Sequence, residues 1–75
     1  MTKKDYILIA DVLVKNIPLE SEFLHFKNPK FAYGTALQTF NRTRLGLIHA
    51  FERDNYRFDA VKFNEYISSQ VKKIT

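Results

Sequence analysis

Apolar residues along this chain recur at intervals of three and four, in three blocks separated by polar or proline-bearing stretches. In the first block Tyr6, Ala10, Leu13, Val14 and Ile17 form one side of a helix. Thr2 stands where it can cap that helix, with Asp5 three residues later in a near capping-box position. Aspartate is shorter than the usual Glu, so the reciprocal bond is the weaker half of this expectation. Ile7, Ile9, Val12 and Val14 are β-branched and would also suit a strand. Asp11 cuts that run and the apolar residues do not alternate, so helix is the better reading. Asp11 and Lys15, four apart with the acid first, form a mild supporting pair, and Pro18 ends the helix. Ile7, Leu8 and Val12 widen the apolar surface beyond one stripe. That predicts a helix either central to the fold or covered by a partner, with Leu8 and Val12 as contact residues for a second copy or a target protein.

Between Pro18 and Pro29 the pattern is least regular. Ser21 is placed to cap a short turn from Glu22 to Phe26, and Asn28-Pro29 marks a break with proline at a first helical position. A second helix follows to about Arg53, through Ala36, Leu37, Phe40, Leu47, Ile48 and Phe51, with Arg44 interrupting the stripe. Gly34 is an alternative start, and Gly46 is a place for close helix approach or a kink. The run from Asp54 to Phe63 then reads as one helix stopping, a tight polar turn, and another starting. Asp59 can cap the new helix, while Phe58 before the cap and Phe63 at the fourth helical position have the spacing of a hydrophobic staple. Phe63, Tyr66, Ile67, Val71 and Ile74 make the apolar face of this third helix, and Lys72 and Lys73 suit its C-terminal dipole. The pattern predicts an all-α fold: a small three-helix domain with a helix-turn-helix corner at residues 54–59, and one domain over residues 1–75.

Composition narrows this picture. A chain of 75 residues buries only about 60% of the surface its unfolded form exposes, so its stability is modest without a partner. The absence of cysteine excludes a disulfide framework and thiolate metal sites, and fits a reducing compartment. Lys3 and Lys4 precede an apolar run, but Asp5 and Asp11 flank and cut it, unlike a signal peptide, and no run is long enough to span a bilayer. The expected location is therefore the cytoplasm. The net charge of +4 is carried wholly by an acid-free stretch from Phe23 to Phe51, through Lys27, Lys30, Arg42 and Arg44.

No catalytic set emerges. Ser21, Ser68 and Ser69 lie in no nucleophile motif, and His25 and His49 have no charge placed by spacing to tune them. Two distant histidines and scattered acids supply no zinc site, the isolated glycines make no phosphate cradle, and Asp54 and Asp59 are better read as a helix exit and a cap. Neither metal nor cofactor is expected. The acid-free middle is the one stretch with a functional reading, since its cations are interleaved with Phe26, Phe31, Tyr33 and Phe40. Cations can neutralise phosphates and exposed rings can stack on bases. The plainer reading makes the rings core and the cations solvated surface, and a third makes the patch a dock for an acidic protein. Arg42 and Arg44, two apart on a helix, splay by roughly 200° and cannot both face one flat partner. A DNA-reading corner is weakly supported, because the turn lacks the frequent Gly and Glu65 lies among Lys62, Asn64, Gln70 and Lys73 on the exposed face of the third helix.

Both ends of the chain carry short motifs: Lys3-Lys4-Asp5-Tyr6 followed by Ile9-Ala10, and Asp54-Asn55 then Arg57-Phe58-Asp59 then Lys62-Phe63. In these it resembles small uncharacterised proteins encoded by tailed bacteriophages. The resemblance covers the first helix and the final third. It departs at Tyr56, where the family usually has Pro, and at Tyr66 and Ile67, where the family ends on small residues and a Cys. The family has no established activity, so the resemblance implies origin, and by analogy the binding and blocking of host machinery. The expectation is a non-enzymatic, phage-type accessory protein in the bacterial cytoplasm. It would act by protein–protein binding, on a host defence complex such as CRISPR or restriction, or on a regulatory complex. The alternative is nucleic-acid binding through residues 23–51. The expected contacts are Lys27, Lys30, Arg42 and Arg44 on a basic patch and Leu8 and Val12 on the first helix, with Phe58, Asp59 and Phe63 holding the corner.

Overall fold

A computed structural model describes residues 1–74 of the chain. It contains three α-helices, α1 (Lys3–Lys15), α2 (Pro29–Asp54) and α3 (Ala60–Ile74), and one 3₁₀ turn at Glu20–Phe23. No strand occurs among the described residues, so the fold is all-α.

Each helix starts at a polar cap. At α1 both halves of the capping box form: Asp5 N donates to Thr2 Oγ1 at 3.4 Å and Thr2 N donates to Asp5 Oδ2 at 2.9 Å. The short aspartate therefore reaches. At α2, Asn28 Oδ1 accepts from Phe31 N at 3.4 Å with Pro29 at the first position, so the helix begins there and not at Gly34. At α3, Asp59 Oδ1 accepts from Lys62 N at 3.0 Å, and the Phe58 and Phe63 rings meet at 5.4 Å. The cap and staple contacts form as the spacing predicts.

α1 runs to Lys15 with Asn16 as its C-cap, just ahead of Pro18, and Asn16 Nδ2 donates to the Val12 carbonyl at 2.8 Å. Other features differ from the sequence expectation. Ser21 caps nothing: it lies inside the 3₁₀ turn, which Glu22 closes by accepting from Leu19 N at 2.8 Å. Gly46 admits no neighbouring helix, since a methyl group there would meet nothing within 4 Å. Ile74 is 51% exposed and sits outside the core. Asp11 is drawn across to α3 by Tyr66, whose hydroxyl donates to Asp11 Oδ1 at 2.6 Å.

The core is Ala10, Leu13 and Val14 from α1, Ile48 and Phe51 from α2, and Phe63 and Ile67 from α3. Ala10 is 1% exposed, and α1 packs chiefly against α3. The rings of Tyr6, Phe51, Phe58 and Phe63 fill the space toward α2. Phe51 touches the other three at centroid distances of 5.0, 5.3 and 5.7 Å, mostly edge to face.

The Tyr66–Asp11 bond has a pH signature. Donation to the Asp11 carboxylate, reinforced by partial burial, raises the Tyr66 hydroxyl above its ordinary 10.0. A raised acid favours folding while it keeps its proton, so this contribution is present below pH 10.0 and is lost as pH climbs through the folded value. Stability measured from about pH 8 to about pH 11 is expected to fall faster for the native chain than for Tyr66→Phe. Parallel curves would contradict the assignment.

The α2–α3 connection is organised by Asn55, which sequence reading passed over. Its N–H donates to the Phe51 carbonyl at 2.9 Å, its carbonyl accepts from Phe58 N at 2.9 Å, and its Oδ1 accepts from Arg57 N at 3.0 Å. Tyr56 is thus the second residue of a β-turn, where Pro is favoured. Asn55, at φ −145° and ψ 106°, already has the extended backbone a following proline requires. Tyr56→Pro gives up an exposed Arg57–Tyr56 contact but is expected to raise stability by up to about 1 kcal/mol through reduced unfolded-state entropy, read as a shift in urea midpoint with unchanged m-value.

Helix lengths leave part of α2 without helical cover. With about 1.5 Å of rise per residue, α2 is about 39 Å long, while α1 and α3 are about 20 and 22 Å. The molecule measures 44 × 23 × 16 Å, and both buried residues of α2 lie in its C-terminal half. The N-terminal half reaches beyond the core with the 3₁₀ turn packed on it.

Candidate functional site

The outboard end of α2 is built by its own small aromatic cluster. Phe23 packs on Phe26 at 5.3 Å and on Tyr33 at 5.9 Å, and the His25 ring meets Phe26 edge-on at 4.6 Å. Phe26 N donates to the Phe23 carbonyl at 3.1 Å, and the Asn28 cap fixes the next turn. This cluster holds the segment in place without enclosing it. Leu24 is 67% exposed, Phe26 45% and Phe31 73%. Phe31 lies two residues from Tyr33, hence about 200° round the helix, on the side the 3₁₀ turn does not cover. Lys27 and Lys30 are exposed beside these groups, and the acid-free stretch begins at Phe23. Solvated cations, the exposed Glu20 and Glu22 of the 3₁₀ turn, and unburied rings therefore share one end of the molecule. Of the rings interleaved with the cations, the core reading holds for Phe40, packed against the core, but not for Phe26 and Phe31, which are exposed, nor for Tyr33, which packs on Phe23 outside the core.

The four basic residues do not form one surface. Lys27 and Lys30 belong to the outboard end. Arg42 is exposed farther along α2, while Arg44 turns the other way, with Nη1 donating to Asn64 Oδ1 of α3 at 3.2 Å. Its Nε is buried without a partner among the described residues. Arg44 falls on the stripe that runs through Tyr33, Leu37, Phe40, Leu47, Ile48 and Phe51, which directs it inward. As part of an open basic patch Arg44 is therefore misplaced, and its role is a polar link between α2 and α3.

A second exposed surface lies on α1. Leu8 and Val12, four apart and so on one side, are 55% and 59% exposed and point away from the stripe that contains Ala10 and Leu13. Phe58, Asp59 and Phe63 serve the α2–α3 connection. His49 lies on the outer side of α2 with Gly46, Glu52 and Arg53 along a shallow depression, and a second depression runs along α3 past Val61, Glu65, Ser68 and Lys72. No group of three or more His, Asp or Glu able to hold a metal occurs among the described residues, and no described helix is long and apolar enough to cross a membrane.

Comparison with known protein families, with curated proteins and with solved structures finds no match to this chain.

Proposed function

We propose that this chain is a small binding protein that docks the outboard end of α2 onto an acidic surface of another protein. One observation carries the reading: Phe31 is 73% exposed on a helical turn fixed by the Asn28 cap, with Leu24 and Phe26 exposed on the 3₁₀ side of the same end. Apolar groups grouped in water at one end of an ordered scaffold suit a contact surface, whereas single exposed apolar residues are ordinary. Lys27 and Lys30 supply the charge that steers an acidic partner, on the α2 side of an end whose 3₁₀ turn carries the exposed Glu20 and Glu22. With the phage resemblance of both termini, the partner class is a host regulatory or defence complex, and the reaction is occupancy of a surface. Nucleic acid is the competing ligand, because exposed rings beside lysines also suit stacked bases. It is the weaker reading, since Arg44 is engaged with Asn64 and Arg42 lies apart from the lysines.

The test is capture from a bacterial host lysate on immobilised protein, with and without nuclease, beside a Phe31→Ser variant. Nuclease-resistant capture that the variant loses supports protein docking. Nuclease-sensitive capture assigns the end to nucleic acid, and capture indifferent to Phe31→Ser removes the end from the contact altogether.

A further inference from the structure

The outer side of α1 reads Asp5, Leu8, Val12, Lys15, at intervals of three, four and three. Those are the intervals of a coiled-coil seam. Leu8 and Val12 are more than half exposed, Lys15 is exposed and Asp5 is partly so. We propose that this seam docks a second copy of the chain, antiparallel, through α1. The surface is distinct from the outboard end of α2, and the proposal goes beyond the partner docking described above.

The order of the four residues selects both the occupant and its direction. Turned end for end, the series Asp5, Leu8, Val12, Lys15 becomes its own complement. An antiparallel copy centred between Leu8 and Val12 sets Leu8 against Val12 of the second copy and Asp5 against its Lys15, and the two-fold axis repeats both contacts. The middle layers are apolar and the outer layers pair opposite charges. A parallel copy would instead set Asp5 against Asp5 and Lys15 against Lys15, like charges in both outer layers. The Asp5 carboxylate is available for this. Oδ2 is held by Thr2 N at 2.9 Å, which fixes the side chain and leaves Oδ1 to face an ammonium group. Two apolar layers and two ion pairs bury less than the about 1,200 Å² of a stable dimer, so the association is reversible and concentration-dependent.

Sedimentation equilibrium from about 10 μM to about 1 mM spans the range such a contact populates. The mean mass of the native chain is expected to rise toward twice the monomer. Lys15→Glu and Asp5→Lys, each alone, should remain monomeric, and an equimolar mixture of the two should associate again, because one then offers two acids and the other two bases. Asp5→Lys also breaks the α1 cap, so a second readout avoids it. The chain has no cysteine. Mild oxidation should therefore form a disulfide between Leu8→Cys and Val12→Cys, which face each other, in clear preference to one between two Leu8→Cys copies, which are offset by about 6 Å along the helix. A native chain still monomeric at the top of the range overturns the proposal, as does cross-linking of Leu8→Cys alone that matches the mixed pair. Phe31→Ser should leave self-association unchanged, which separates this contact from partner docking.

Discussion

Phe51→Ala is expected to be the most damaging single truncation in this chain, at a cost of about 3–5 kcal/mol. Phe51 is 6% exposed and meets Tyr6 of α1, Phe58 before the α3 cap and Phe63 within α3; Phe58 also meets the other three rings but is only half-buried. Removal of the Phe51 ring opens a cavity at the point where all three helices meet. Collapse around that cavity is hindered, because the neighbouring rings are held by a cap at Asp59 and by the Asn55 turn. A domain of this length has a total stability of roughly 4–11 kcal/mol, so the loss takes up much of what is available. Asp59→Ala removes one cap bond and should cost only about 0.5–2 kcal/mol. Urea denaturation followed by circular dichroism orders the two. A Phe51→Ala protein that unfolds at the urea midpoint of Asp59→Ala would mean that the four-ring cluster is not the centre of the fold.

The contrast between those substitutions also explains which parts of the structure were legible beforehand. Caps and staples are local. Thr2 with Asp5, Asn28 with Pro29, and Phe58, Asp59 and Phe63 act over a few residues, so their spacing alone predicted contacts that are formed. The periodic stripes were legible for the same reason, since three- and four-residue recurrence reports which side of a helix faces inward. What escaped was set by length and by distant partners. Spacing pairs Asp11 with Lys15, whereas the Asp11 carboxylate accepts from Tyr66, 55 positions away. Arg44 was counted as surface charge but points at Asn64, although its place on the Tyr33–Phe51 stripe was a usable warning. Gly46 is suited by size to close helix approach, but nothing lies within 4 Å of where its side chain would be. The exposure of Phe26 and Phe31 follows from the mismatch between a 26-residue helix and companions of 13 and 15 residues, a comparison that needs helix boundaries before it can be made. The candidate contact residues on α1 were legible as an excess of apolar surface, whereas the outboard end of α2 became definable only once Arg42 and Arg44 were separated from Lys27 and Lys30.

Phe31→Ser is expected to leave the fold intact and to weaken partner docking at least tenfold, about 1.4 kcal/mol or more. Phe31 is 73% exposed, and the cap at its position uses only the backbone N–H, which donates to Asn28 Oδ1 whatever the side chain. Stability should therefore move by no more than about 0.5 kcal/mol. Leu45→Ser is the matched control. Leu45 is 50% exposed on the same helix but about 21 Å farther along it, beyond the outboard cluster, so its loss should affect neither stability nor docking appreciably. Salt then separates the two classes of ligand. Phosphate contacts give an affinity that falls with a log–log slope of about −0.9 for each neutralised phosphate of duplex DNA, and Lys27→Ala and Lys30→Ala would each flatten that slope. An acidic protein surface gives a shallower dependence dominated by the apolar anchor, so Phe31→Ser would outweigh either lysine substitution. Arg44→Ala should alter stability in both cases and the salt slope in neither, because its guanidinium is held between α2 and α3. Docking that survives Phe31→Ser but collapses with Arg44→Ala, in a protein still folded, would place the contact on the opposite side of α2 and refute the assignment to its outboard end.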